Sequence, residues 1–433
     1  MRSRDMTRTR RKGRRAGLAA ALLGAVAACA SNDMETIIVD AGSILRFAAI
    51  IDGTGEKLDA TEIYVNGRAI RAIGHDLIRD YPHAEVIDKS DLTALPGLID
   101  AHVHVTYALA GPPQGDAWAE LGATSREERL AGAIDNARKM LHAGVTSARD
   151  MTAFDGVDFE LRELIETNQA EGPRLYLSGV GLHPITLPEG WDAVGANLPA
   201  MFAGIARERV AQGADWIKIF ATSGTADDLT GEQFFGYDEI AAVVEVAHAA
   251  GVRVGVHAYG PAATPDAIRA GVDAIDHPVG LDDALLAQWA ATDIIYVPTI
   301  DHNRYYAERR EEFGYSAETA AELMAFVEAN VETAARAHQA GVTIAMGSDA
   351  LLTGFGENAR ELEWLVAAGL TPAEAIRAAT ENGAKLLGEE GRLGCLRPGC
   401  APDIIAVEGD PLTDIKAVSR NVRWVMKASR IVK

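Results

Sequence analysis

The sequence is poor in cysteine and in positive charge. It has three cysteines in 433 residues, and 41 Lys and Arg stand against 62 Asp and Glu, for a net charge of -21. This acidity argues against a nucleic acid partner, because phosphate binding depends on clustered Lys and Arg. The cysteines show no zinc-finger spacing, so a Cys-based structural zinc site is not expected.

What positive charge there is gathers at the N-terminus. Residues 1–28 hold eight Lys and Arg and one Asp. A basic stretch is followed by an apolar run, Leu18 to Ala28, too short to span a bilayer comfortably. We interpret 1–28 as a signal peptide and 29–35 as a short tether.

The small residues before Cys29 resemble a bacterial lipoprotein signal, in which Cys29 becomes the lipidated first residue. No Asp follows Cys29, which in such signals favours the outer membrane. The expected location is therefore the periplasm, with an outer-membrane lipid anchor. The alternative is an ordinary signal peptide cleaved near Ala28 or Ala30.

The other two cysteines, Cys395 and Cys400, flank the turn sequence Leu396-Arg397-Pro398-Gly399. In an oxidising compartment, a disulfide across this turn is conceivable. Two free buried thiols are the alternative, and the sequence leaves both open.

Both ends of the chain are rich in short strand patterns. Residues 36–94 contain apolar runs separated by turn signals, among them Asn66-Gly67, a strong hairpin signal. Residues 391–433 contain two further runs, Asp403 to Val407 and Val422 to Met426. We expect 36–94 and 391–433 to pair into one small β-sandwich domain.

Between these ends, residues 95–390 repeat one unit: a helical stretch, a Gly and a β-rich run, as at His142-Ala143-Gly144-Val145-Thr146. After an opening strand that leads into His102, the runs are Thr146 to Arg149, Leu175 to Ser178, Trp216 to Phe220, Val252 to His257, Ala274 to His277, Ile294 to Val297 and Thr343 to Met346. Eight strands alternating with helices predict an α/β fold, a (β/α)8 TIM barrel.

In such barrels, the reacting groups lie at the carboxyl ends of the strands. The polar residues there are His102 and His104 (strand one), Lys218 (strand four), His257 (strand five), His277 (strand six) and Asp349 (strand eight). His102 and His104 share one face of a strand, so both can reach one metal ion. A Lys within a buried strand is costly unless it is paired or modified.

These motifs, spread over residues 36–433, resemble the amidohydrolase superfamily. The His-x-His follows Pro96-Gly97-Leu98-Ile99-Asp100, and the Lys, two His and the Asp follow in order. Gly144-Val145-Thr146 with Arg149-Asp150, and Gly213 to Lys218, are similar to the prolidase-like and imidazolonepropionase-like branch. Large homo-oligomers are common in that branch, so the resemblance implies a homo-oligomer.

The resemblance implies a centre of two divalent metal ions, expected to be zinc. His102 and His104 would bind one ion, and His257 and His277 the other. Lys218 would be carboxylated by carbon dioxide and bridge both ions. Asp349 would be a ligand and the proton shuttle.

Elementary chemistry supports these expected roles. Neutral imidazoles and carboxylate oxygens suit zinc. Burial favours the neutral amine that must form the carbamate. The two ions would lower the pKa of a bridging water and polarise the scissile carbonyl, and Asp349 would carry the proton to the leaving nitrogen.

Substrate contacts are expected from Tyr259, two residues after His257, and from His302 and Arg304, which follow strand seven. A packing Tyr and a solvated loop are the respective alternatives. His183, in the loop Gly181 to Ile185, is a further expected substrate contact, although this loop departs from the Gly-Gly-His motif of the close prolidase-like members.

The expected activity is hydrolysis of an amide bond in a dipeptide of the Xaa-Pro kind or in an N-acyl amino acid, through a metal-bridging hydroxide. A cyclic amide, a lactone or an organophosphate ester is the alternative substrate class for the same centre. A non-catalytic binding protein on the same fold is the rival of another class. The partners expected are a small-molecule or dipeptide substrate and, through the lipid anchor alone, a membrane.

Overall fold

The structure is a computed structural model that describes residues 42–109, 111, 113, 117–226 and 228–433. These residues belong to one compact unit, Ile38–Lys433. The predicted signal peptide, Cys29 and the tether lie outside the described residues. The domain boundaries at 94 and 390 stay predictions.

The strands, in chain order, are β1 (Ser43–Ile50), β2 (Glu62–Asn66), β3 (Ala69–Gly74), β4 (Glu85–Pro96), β5 (Leu98–Val103), β6 (Val145–Asp150), β7 (Arg174–Leu177), β8 (Trp216–Phe220), β9 (Arg253–His257), β10 (Ala274–Asp276), β11 (Ile295–Val297), β12 (Ile404–Val407), β13 (Val422–Lys427) and β14 (Arg430–Ile431).

The α-helices are α1 (Ala117–Ala123), α2 (Arg126–His142), α3 (Val157–Glu166), α4 (Leu198–Ala211), α5 (Tyr237–Ala249), α6 (Thr264–Ala270), α7 (Asp283–Ala290), α8 (Ile300–Glu308), α9 (Ala317–Ala340), α10 (Glu361–Ala367), α11 (Pro372–Ala378), α12 (Glu381–Leu387) and α13 (Lys416–Arg420). Among the described residues, no helix combines the length and apolarity needed to cross a bilayer.

Strands from the two chain ends pair into one seven-stranded sheet, in the order β14-β13-β12-β4-β1-β2-β3. β2 and β3 form the hairpin predicted at Asn66-Gly67, where Gly67 takes a positive φ of 62°. β4 was not among the predicted strands, because its first half is polar and exposed. The pairing joins both chain ends as expected, but it does not establish a sandwich.

The central part of the chain forms two all-parallel sheets, β5-β6-β7 and β8-β9-β10-β11. Single parallel bridges continue the pairing: Leu182 with Ile219, Tyr296 with Ile344, and Val103 with Ala350. The segment predicted as the eighth strand takes part only through such bridges. The ladder alone therefore does not establish a closed barrel.

Alternation along the parallel strands separates two cores. In β8, Ile217 and Ile219 pack in the large core with side chains of the surrounding helices, whereas Trp216 belongs to a second cluster with residues of β5 and β11. Lys218 shares the parity of Trp216, and its side chain is fully buried. Outside the sheets, α11 begins after Thr371, which caps the helix and forms a capping box with Glu374.

Cys395 and Cys400 form a disulfide, which decides the alternative that the sequence left open. It closes the turn whose backbone bonds to β3, through Ile70 N–H to Cys400 O at 2.9 Å. Cys395 lines a cavity of about 560 Å³ with Val342 and Ile344. The disulfide therefore lies beside the start of the segment predicted as the eighth strand, and Asp349 follows the other end of that segment.

Replacing both cysteines by serine is expected to lower the free energy of unfolding by about 2 kcal/mol, the entropy of closing a six-residue loop. Hydrolytic activity of the folded protein should not change. Denaturant unfolding with and without a reducing agent measures this. An effect of the reducing agent on the stability of the double-serine variant would contradict the assignment.

Candidate metal centre

The six residues predicted as ligands lie at or beside the carboxyl ends of parallel strands, and all are buried: His102, His104, Lys218, His257, His277 and Asp349. One donor atom from each of His102, His277 and Asp349 lies within 4.8 Å of the others. The rings of His257 and His277 are 4.8 Å apart between centroids, and those of His102 and His104 are 5.2 Å apart.

Lys218 points into this group. Its Nζ donates to Asp276 Oδ2 at 3.0 Å, and the same oxygen lies 3.1 Å from His102 Nδ1. Burial lowers the pKa of the Lys218 amine, which the negative charge of Asp276 partly opposes. The buried amine therefore lies beside the His102 imidazole, and Asp276 Oδ2 contacts both.

Asp276 and Arg149 are functional candidates that the sequence analysis did not single out as site residues. Arg149 donates to Asp276 Oδ1 at 2.8 Å, and its guanidinium carbon lies 4.4 Å from the ring centroid of Trp216. Burial alone would raise the pKa of Asp276, but the charges of Arg149 and Lys218 hold that pKa well below its usual value. The sequence feature that could have identified Asp276 is its position directly before the predicted ligand His277.

Strained backbone explains why Asp276 and His277 both face the centre. Asp276 pairs with His257 in the register of β9 and β10, so these two side chains share a side. Regular alternation would turn His277 away, but His277 has a φ of 71°. Asp349, with a φ of 51°, and Thr299, with a φ of 50°, are strained in the same way.

Asp349 is held at both its backbone and its side chain. Its N–H donates to His102 O at 2.7 Å, and its Oδ1 lies 3.1 Å from His104 Nε2. The preceding residue, Ser348, donates to Asp100 through Oγ at 2.6 Å and through N–H at 2.9 Å. Burial raises the pKa of Asp100 to about 6.

The donors fit a divalent cation. Both ring nitrogens of His102, Nδ1 of His104 and Oδ1 of Asp349 are buried and make no hydrogen bond of regular geometry. Each such atom costs about 1–3 kcal/mol unless it finds a partner. Burial lowers the pKa of His102 to about 3 and the pKa of His277 well below its usual value, so these imidazoles are neutral and ready to bind a metal.

Of the residues predicted to contact substrate, Tyr259 and His302 adjoin the centre. The Tyr259 ring stacks on His257 with centroids 5.0 Å apart, and its hydroxyl accepts a bond from Asn303 Nδ2 at 3.3 Å. His302 Nε2 lies 3.5 Å from Asp349 Oδ2.

His183 and Arg304 have other surroundings. His183 packs edge-on against Phe220, with centroids 5.0 Å apart, and Phe220 in turn lies 5.2 Å from His257. Arg304 is buried and donates twice to Asp301, at 2.8 and 2.7 Å. The guanidinium is occupied, so the geometry does not favour its predicted contact with a substrate carboxylate.

The fold and the buried cluster of His and Asp side chains are those of a hydrolase class, and the chain belongs to the amidohydrolase family, whose sequence pattern matches residues 93–432. The protein is thus a hydrolase of a family that acts on small-molecule substrates and generally uses divalent metal ions.

Among individual proteins, the chain is similar to the ochratoxinase of Aspergillus niger, at 29% identity over 437 residues that cover 90% of this chain and 86% of that protein. It is 24% identical over 409 residues to the imidazolonepropionase of Chloroflexus aggregans, covering 84% and 86% of the two chains. It also resembles the crystal structure of a Xaa-Pro dipeptidase with bound methionine, with a TM-score of 0.78, 29% identity and coverage of 90% and 99%.

A methyl group at Gly347 tests the packing of the centre. A Cβ there would lie 2.4 Å from Val297 Cγ1 and 3.0 Å from His102 Cβ, so Gly347→Ala must move the segment that leads to Asp349 away from β5, which carries His102, and from β11. Affinity for zinc should fall about tenfold or more. Gly204→Ala, within α4 and with open space around its Cβ, is the control. Equal zinc affinities, measured by competition with a chelator, would contradict this packing.

Proposed function

We propose that this protein is a binuclear metal amidohydrolase that cleaves an amide bond in a dipeptide of the Xaa-Pro kind or in an N-acyl amino acid. The observation that carries the proposal is the convergence of donors from His102, His277 and Asp349 within 4.8 Å. The buried amine of Lys218 joins this group through Asp276.

We propose that a closed barrel of parallel strands positions this centre. The parallel bridges to the segment 344–350 connect β11 back to β5, and the bridge from Leu182 to Ile219 connects the two sheets. This pairing supports a closed (β/α)8 barrel, with the seven-stranded sheet as a β-sandwich domain beside it. The predicted homo-oligomer belongs to the proposal as well.

In the proposed centre, His102, His104 and Asp349 would hold one zinc ion, His257 and His277 would hold the second, and carboxylated Lys218 would be a ligand of both. When bound, the two ions supply an activated water and polarise the substrate carbonyl. The protein orients the His277 ring through Thr299, whose Oγ1 lies 2.6 Å from His277 Nδ1. This contact leaves Nε2 of the ring as the nitrogen that can bind a metal ion.

Carboxylation of Lys218 needs only carbon dioxide. The neutral Nζ attacks the carbon, an N–C bond forms, and one electron pair of a C=O double bond moves to oxygen. One proton leaves the nitrogen for solvent. Burial supports this step because it favours the neutral amine and because an anion shared by two cations replaces an unfavourable buried ammonium.

Asp349 moves the proton in the proposed reaction. It accepts one proton from the attacking water and donates it to the leaving nitrogen, so the amine departs neutral. Its backbone bond to His102 O fixes the carboxylate beside the centre. Tyr259, His302 and His183 are the proposed substrate contacts, of which Tyr259 and His302 adjoin the metal-binding residues.

The names of the relatives support a carbon–nitrogen bond as the target. A Xaa-Pro dipeptidase cleaves a peptide bond, and the structural match with this protein covers 99% of the dipeptidase chain. A panel of Xaa-Pro dipeptides, N-acyl amino acids, a lactone and an organophosphate ester separates the candidate substrate classes. The proposal expects hydrolysis of the first two at the highest kcat/KM.

Lys218→Ala is expected to lose about one zinc ion per chain and to lower kcat about 10³-fold, because the shared anionic ligand is gone. Propionate, which offers a carboxylate of similar size, should restore part of the activity. Lys385→Ala, which removes an exposed Lys paired with Asp293, is the control. If zinc-loaded Lys218→Ala hydrolysed the panel as fast as wild type, the proposed centre would be wrong.

We also propose export and lipidation at Cys29, supported by the basic N-terminus and the small residues before this cysteine. The protein expressed in a bacterium that processes lipoproteins should sediment with the outer membrane. Mass spectrometry of its N-terminal peptide should find Cys29 diacylated. A Cys29→Ser variant should be free in the periplasm; the same distribution for both proteins would contradict the anchor.

A further inference from the structure

One buried carboxylate joins two of the proposed metal ligands. Asp276 Oδ2 accepts from Lys218 Nζ at 3.0 Å and lies 3.1 Å from His102 Nδ1. Its other oxygen, Oδ1, accepts from Arg149 at 2.8 Å. The side chains of all four residues have no exposure to solvent.

Arg149 is itself firmly held. Its Nε donates to Ala101 O, within the strand that carries His102, and its guanidinium lies over the Trp216 ring. Gly255 makes room for it, because a Cβ there would lie 3.1 Å from an Arg149 nitrogen. An arginine keeps its charge in proteins, so it neutralises Asp276 permanently.

We propose that Asp276, held by Arg149, is a positioning residue that orients both Lys218 and His102 for metal binding. The inference rests on the proposed function, because it concerns the carboxylated form of Lys218. A carboxylated lysine keeps one N–H, and Asp276 Oδ2 is the acceptor within reach. The same oxygen lies 3.1 Å from His102 Nδ1, and in the proposed arrangement it would accept the N–H of that nitrogen, which leaves Nε2 of the ring to bind metal.

Asp276 is not itself a ligand in this arrangement. Arg149 occupies one of its oxygens, and Lys218 and His102 occupy the other. The arrangement also differs from a plain structural ion pair. Replacing a carboxylate that only stabilises the fold would lower stability, but it would leave metal affinity and carboxylation of the folded protein unchanged.

Asp276→Asn is the decisive variant, since it keeps the shape of the side chain. An amide has one oxygen, and its NH2 group faces donors on the other side. We expect zinc affinity of the folded protein to fall 10–100-fold. The carbamate signal in the 13C spectrum, after exchange with 13C-bicarbonate in the presence of zinc, should fall at least fivefold.

Asp273→Asn is the matched control, because Asp273 precedes β10 and pairs with His248 away from the centre. Its zinc affinity and carbamate signal should equal those of wild type. If Asp276→Asn does not fold, Arg149→Lys decides instead. It keeps the charge but lacks the planar guanidinium, whose separate nitrogens bond Ala101 O and Asp276, so zinc affinity should fall several-fold.

The outcomes separate the two proposals. Wild type without a carbamate signal would refute the carboxylation of Lys218, and with it the proposed function. Wild type with the signal, and a folded Asp276→Asn protein with the same signal and the same zinc affinity, would refute only the role of Asp276. Unchanged zinc affinity and an unchanged signal in a folded Arg149→Lys protein would refute it equally.

Discussion

The burial of the Lys218 amine is the constraint from which the rest of the centre follows. An ammonium ion without a partner would cost several kcal/mol at this depth. Asp276 accepts a hydrogen bond from the Lys218 amine, and Arg149 balances the negative charge of Asp276. Gly255 pairs with Lys218 in the register of β8 and β9, and its lack of a side chain leaves room for Arg149. The proposed carbamate would turn the same amine into an anion at the point where the imidazoles converge.

Much of this candidate site was predictable from the sequence, because its polar residues lie at the ends of strands that recur in a regular helix-Gly-strand pattern. His102, Lys218, His257 and Asp349 stand at or near strand ends that the helix-Gly-strand repeat marks in the sequence. Seven of the eight predicted parallel strands form as regular strands, and the eighth pairs through single bridges. The match of residues 93–432 to the amidohydrolase family agrees with the family resemblance that the order of the motifs indicated.

The features that escaped prediction depend on long-range contacts or on irregular backbone. Arg149 and Asp276 are 127 positions apart, in β6 and β10, and only the tertiary structure brings them together. The positive φ of His277 brings a residue of the wrong parity into the centre. Arg304 was predicted to contact substrate, but its guanidinium donates to Asp301, which lies one helical turn earlier. β4 was missed because its first half is polar and exposed, so it lacks the alternation of a half-buried strand.

The central claim is that Lys218 becomes an anionic ligand shared by two metal ions. The direct measurement is a crystal structure of the zinc-loaded protein, with diffraction data collected at the zinc absorption edge. The account predicts electron density that continues beyond Lys218 Nζ as a planar group between two anomalous peaks, one beside His102 and His104 and one beside His257 and His277. Density that ends at Nζ, with the amine still bonded to Asp276 and fewer than two peaks, would contradict it.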